Sequence, residues 1–230
     1  MLAFISRYWD SYLLGLGISA GITAGTMSIS ILLGLFLALA RRSTVSPVRM
    51  VAGGYVAVFR ALPPLLVLYL VYFGLPTWAA KAQIFILSPL VESLNNRIIA
   101  AIVAFALTSA AFSAEIIRSG IESVHESQLE AARSIGMTYR LAFLRVIGPQ
   151  AARAALPPLG SEFIYVLKGT SLAAVIGVVE LLRTAQIAAG ATFYNLFAYS
   201  LAGAFYIAFV VMLQVLLGQW ESRFPATKET

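Results

Sequence analysis

Five apolar runs with few charges inside them constrain this chain most: roughly 12–40, 52–75, 97–118, 154–179 and 197–219. Each is long enough for the ~20 residues that cross a hydrocarbon core ~30 Å thick. Lipid offers no water to the backbone, so a spanning segment must satisfy its own N–H and C=O groups as a helix or join a closed barrel. The period-2 alternation of a membrane barrel is absent, which leaves helices. The expected fold is therefore all-α, one polytopic domain over 1–230 with about five spans and a polar loop at 119–153. Composition agrees: 60% of the residues are hydrophobic and 11% charged, against about 25% charged in soluble domains.

Basic residues set the expected orientation. Arg41, Arg42 and Arg49 follow the first run, and Arg118, Arg133, Arg140, Arg145 and Arg153 lie between the third and fourth. Both loops read as cytoplasmic. The C-terminal tail, with Arg223 and Lys228, falls on the same side and the N-terminus on the other. The net charge of +6 then reflects topology; it forms no stripe interleaved with aromatics of the kind that grips nucleic acid. Without cysteine there is no disulfide or thiolate metal site, and no metal or nucleophilic site can be assembled from the remaining residues. Residues 1–10 lack the pattern of a cleaved signal peptide and are expected to stay in the mature protein.

Within the first run Gly17, Gly21 and Gly25 recur every four residues, a spacing that predicts close approach of a second helix. Tyr69, Tyr72, Phe73 and Trp78 read as an outer aromatic belt. His125, the lone histidine, reads as solvated in a polar turn.

The loop at 119–153 contains Glu126-Ser127-Gln128-Leu129-Glu130-Ala131-Ala132-Arg133-Ser134-Ile135-Gly136. Helix formers dominate it and Gly136 is placed to end the helix. Residues alone allow two readings, a docking helix for a soluble partner or a helix lying on lipid headgroups. Here Glu130-Ala131-Ala132, three residues, Gly136, nine residues and Val146-Ile147-Gly148-Pro149 resemble the EAA loop of ABC importer permeases, E-A-A-x3-G-x9-I-x-L-P. Val146 and Gly148 depart from that pattern. Phe59-Arg60-Ala61-Leu62-Pro63-Pro64-Leu65-Leu66 with Tyr72-Phe73-Gly74-Leu75-Pro76 looks like the FRGTPLL and YFGLP stretches of polar amino acid permeases. Ala110 to Ile121 is similar to AAYLAEIFRGGI. Ala155 to Ile164 and Leu167 to Leu172 are similar to ALPPLGNEFI and LKDTSL, with Ser161 and Gly169 as departures.

The resemblance covers about residues 12–220. It implies a type I importer fold with a cytoplasmic coupling helix, in a multi-pass bacterial inner-membrane permease of the histidine, glutamine, arginine and opine type. The expected partners are two cytoplasmic ATPase subunits, a second copy or close paralogue, and an extracytoplasmic solute-binding protein, in membrane lipid. Glu130, Ala131, Ala132 and Gly136 would couple to the ATPases. ATP and Mg are expected on those partners, with no cofactor in this chain, since it has no G-x-x-x-x-G-K-[ST] loop.

Charges inside spans are costly, roughly 2.5–3.5 kcal/mol each on insertion scales, and so mark candidate sites. Glu162, five residues after Pro157, reads either as a ligand for a substrate ammonium group or as a structural hydrogen bond. Lys168 meets a carboxylate or packs, and Arg60 lies at the cavity or pairs with a helix end. Thr170 and Ser171 join them as path candidates. Glu115 and Arg118, spaced i,i+3, read with Pro63 and Pro157 as structural or gating. An ion channel or coupled carrier would show acidic rings or repeated broken helices, and neither is evident.

Overall fold

A computed structural model describes residues 2–83 and 88–223, and among these the chain is helical with no strand. The order is α1 Leu2–Ala40, α2 Ser46–Ala61, α3 Pro64–Lys81, α4 Ser88–Leu94, α5 Arg97–Glu122, α6 Glu126–Ser134, α7 Tyr139–Ile176, α8 Leu181–Thr192 and α9 Asn195–Arg223. Five of them, α1, α3, α5, α7 and α9, are long and apolar enough to cross a membrane. Lys228 lies outside the described residues.

Proline draws the boundaries that hydropathy missed. The apolar run at 52–75 is not one helix: Leu62 is extended (φ −79°, ψ 134°), and α3 begins at Pro64. The ring of Pro63 forbids the α conformation to Leu62, while Pro64 occupies a first-turn position where no amide is needed. The second candidate span therefore runs Pro64–Lys81. Two further prolines sit inside continuous helices, each just after a widened π turn. Leu70–Gly74 precedes Pro76, and Phe143–Ile147 precedes Pro149. A proline cannot complete an ordinary α turn, and a turn with one extra residue takes up the misfit. Gly148, the departure noted in the loop motif, belongs here: its N–H bonds Phe143 O, and a Cβ would stand 3.0 Å from that oxygen.

α5 is the central helix, touching α1, α2, α3, α4 and α7. Its contact face is built from Ala100, Ala101, Ala104, Ala110, Ala111 and Ala114, all buried. Small residues let backbones approach, which is how helices associate in lipid. At Gly34 of α1 an added Cβ would lie 2.7 Å from Ser113 Cβ, and at Gly120 it would lie 2.7 Å from Ala151 O of α7. The predicted glycine stripe does not serve this purpose within the chain. Gly17 and Gly21 are exposed with open space beside them, and of the three only Gly25 meets a neighbour, Ile102. The packed side of α1 instead follows Gly15, Ser19, Ile22, Thr26 and Ser30, about half a turn away.

The sequence reading passed over Glu180, which is fully buried. It caps α8, with Oε1 accepting the Arg183 N–H and Oε2 the Leu182 N–H, both at 2.8 Å, while Tyr206 Oη of α9 donates to Oε2 at 3.1 Å. The neighbouring Leu181 N–H reaches Ser19 Oγ of α1 at 3.3 Å. One carboxylate thus pins α8 and α9 where they meet α1. Glu180→Ala is expected to cost about 2–4 kcal/mol, because three donors lose a buried acceptor. A thermal melt in detergent checks this, with Glu180→Gln falling between Ala and wild type.

Candidate functional site

α5 and α7 bring the intramembrane carboxylate and amine to one cavity. Glu162 of α7 is 9% exposed, and Ser109 Oγ of α5 donates to its Oε1 at 2.7 Å. The Ser109 hydroxyl has one proton, so Met27 Sδ at 3.7 Å is a packing contact behind it. The cavity, about 330 Å³, is lined by Pro64, Phe105, Phe112, Tyr165 and Leu172 as well as Ser109, Glu162, Lys168 and Ser171. Most of this wall is apolar or aromatic, with one acid and one base, the form of a small-molecule site. Lys168 is exposed and makes no ion pair among the described residues. It lies six residues beyond Glu162, about 9 Å further along the helix axis.

The other path candidates divide. Ser171 lines the cavity and donates to Lys168 O at 2.8 Å. Thr170 is fully buried and donates to Leu167 O at 2.7 Å; it ties the end of α7 together and does not face the cavity. Pro157 lies nearer the start of α7, in a second, open hollow of about 620 Å³ on the face of that helix, with Pro158, Ser161, Glu162 and Tyr165. Pro158 also lines a third cavity, about 290 Å³, with Glu115, Ser119, Gly120 and Ser123. Shared residues therefore link the three in a row, from Lys168 through Glu162 and Pro158 to Ser123.

Arg60 stands off the first cavity and joins an ion cluster. Glu115 is paired with Arg41, just past the end of α1, and with Arg118 Nε at 2.8 Å, and Arg60 Nη1 of α2 is 3.5 Å away. Arg118 also pairs with Glu122. The i,i+3 contact of Glu115 and Arg118 was legible in the sequence; the two arginines at the ends of α1 and α2 were not, because nothing local places them beside α5. Pro63 contributes the α2–α3 break described above.

α6 carries the EAA residues on a short helix packed beneath the spans. Ala132 is buried, while Leu129 packs on the cluster of Ile121, Ile147 and Ala151; Glu126, Glu130 and Ala131 face outward. Gly136 adopts φ +86°, its N–H bonding Arg133 O and the Met137 N–H bonding Ala132 O. That pair of bonds is the glycine-dependent helix stop. His125 is more than a solvated ring: its Nδ1 accepts the Ser127 N–H at 3.3 Å and caps α6.

The profile of the family described as binding-protein-dependent transport system inner membrane component matches residues 30–224. The chain belongs to this family. The permease is 39% identical over 200 residues to the nopaline transport system permease protein NocM of Agrobacterium fabrum, covering 84% of this chain and 81% of that one. With the octopine transport system permease protein OccQ of Rhizobium meliloti it shares 33% over 208 residues, 90% and 87% of the two chains. Its fold matches a chain in a crystal structure of an amino acid ABC transporter with histidines at a TM-score of 0.83 and 35% identity, over 95% and 96% of the chains. The fold is thus that of ABC importer permeases, and the protein is a multi-pass inner-membrane subunit working with ATPase and solute-binding partners; it is not itself the ATPase.

Ser109→Ala in the permease removes the one side-chain donor described for Glu162. The expected outcome is a loss of about 1–3 kcal/mol in thermal stability, as for any buried acceptor left unmet, with Ser109→Thr close to wild type in the same melt.

Proposed function

We propose that this permease imports amino acids or opines, and that the solute descends through the three linked cavities with Glu162 and Lys168 as its first contacts. The observation that carries this reading is the one cavity that holds both a buried carboxylate and an amine with no ion pair among the described residues, about 9 Å apart along α7. An extended solute with a carboxylate at one end and a cation at the other spans that distance, as basic amino acids and their opine conjugates do. The cation meets Glu162, whose second oxygen is left for it by Ser109, and the carboxylate meets Lys168 and the Ser171 hydroxyl. Phe105, Phe112 and Tyr165 pack on the carbon skeleton between the charges. The relatives named for nopaline and octopine transport support this class.

Glu130, Ala131, Ala132 and Gly136 serve as the coupling segment. A helix stopped sharply at Gly136 and seated on the α5–α7 cluster moves as a rigid body with those helices, so a push from a partner below reaches the cavity walls directly. Two ATPase subunits carry ATP and Mg, and this chain contributes no cofactor. A second copy or close paralogue completes the path across the exposed face of Tyr165 and Lys168. The N-terminus lies outside and the C-terminus in the cytoplasm, a reading supported by the arginines of the α1–α2 and α5–α7 connections.

ATP hydrolysis by the whole complex in lipid, with binding protein loaded from a panel of amino acids and opines, tests the reading. Stimulation by a basic or opine solute is expected, and Glu130→Lys should abolish it while nucleotide still binds. Glu162→Gln should lower import at least tenfold, as loss of a charge-assisted contact does. Import unchanged in Glu162→Gln would remove the proposed site.

A further inference from the structure

The ion cluster at the inner ends of α1, α2 and α5 holds more cations than anions. Arg41, Arg60 and Arg118 face Glu115 and Glu122, so three guanidinium groups against two carboxylates leave one positive charge. Arg60 is the least committed member. Its side chain is 47% exposed, and at 3.5 Å its contact with Glu115 is longer than a good hydrogen bond. Arg41 and Arg118 already satisfy both Glu115 oxygens. Most of the five Arg60 donors therefore lack a protein acceptor among the described residues.

Position gives this surplus a use. The Arg60 guanidinium carbon lies 5.5 Å from the centroid of the Phe112 ring, and Phe112 lines the cavity of Glu162 and Lys168. Glu115, three residues on, lines the third cavity nearer the cytoplasm. Arg60 thus stands against the wall between the first cavity and the last, stacked on one and paired with the other.

We propose that Arg60 is a second carboxylate-holding residue on the inward half of the path, exchanging Glu115 for the carboxylate of a solute that has left Lys168. The inference rests on the reading of the linked cavities as the solute's route. A guanidinium grips a carboxylate through two parallel N–H bonds while its flat face stays on an aromatic ring, which a lysine cannot do. The exchange leaves Glu115 with Arg41 and Arg118, so no bare carboxylate remains behind. A cationic group on the solute is repelled by the surplus charge and a carboxylate is drawn down, which favours passage of carboxylate-bearing solutes toward the cytoplasm.

The test is the number of solute molecules imported per ATP hydrolysed by the complete complex in proteoliposomes. Arg60→Gln is expected to lower that ratio about tenfold while loaded binding protein still stimulates hydrolysis, and Arg60→Lys to lower it less. An unchanged ratio in Arg60→Gln overturns the proposal. So does a parallel fall of import and stimulated hydrolysis in both variants, which would make Arg60 a latch between α2 and α5. Where the Gln complex fails to assemble, the Lys variant is read alone, and a wild-type ratio there overturns the proposal. Glu162→Gln, run beside them, separates the two ideas: if it imports normally the route itself is wrong, whatever Arg60 does.

Discussion

The close approach of α5 to α1 on one side and α7 on the other is the interaction on which the structure depends. In lipid there is no hydrophobic drive between helices, and association comes from van der Waals contact and from hydrogen bonds that lipid cannot supply. Alanines on α5, Gly34 of α1 and Gly120 beside Ala151 reduce the separation to backbone contact. Only at that distance does Ser109 reach Glu162 and Arg41 reach Glu115. The first and third cavities lie between α5 and α7, and Pro158 of α7 lines both the third cavity and the hollow between them.

Charge is distributed along the seam according to what can neutralise it. At one end an acid and a base share a cavity without touching; at the other end acids and bases touch and are crowded. Glu180, away from the seam, is satisfied entirely by a helix cap and a tyrosine. Three glutamates in apolar surroundings thus have three different solutions: partly open, over-paired with arginine, and sealed by amides. Of the two that line cavities, Glu162 and Glu115, only Glu162 has no arginine paired to it among the described residues.

Much of this was legible in the sequence. The all-helical membrane architecture follows from run length and low charge, and the helix stop at Gly136 from composition, since each depends on neighbours in sequence. Glu162 and Lys168 were legible as candidates because charge in an apolar run is conspicuous, and Ser171 as a hydroxyl close beside them. The limits have equally local causes. The run at 52–75 looked continuous because hydropathy does not register that Pro63 forbids Leu62 its helical conformation. Gly17 and Gly21 have the right spacing for packing but the wrong rotational phase, and phase is set by which side of α1 meets α5. Thr170 looked like its neighbour Ser171, yet a turn of tight helix directs one inward and the other to the cavity. Glu180 escaped notice because the run at 154–179 stops one residue short of it, and its capping role appears only once α8 is seen to begin at Leu181.

The widened turn at Phe143–Ile147 has a consequence for how the two ends of α7 relate. An ordinary helix fixes the direction of every side chain relative to every other, about 100° per residue, so one residue added or removed near the loop would swing Glu162 away from α5. The widened turn carries one residue more than an ordinary turn and so offsets everything beyond it by about that angle. The loop-side segment, with the seat for α6, and the path-side segment, with Glu162 and Lys168, are held at that fixed offset within one continuous helix. A displacement of α6 is therefore carried to Glu162 along α7, and removing the extra residue would re-aim Glu162 relative to the surface on which α6 rests.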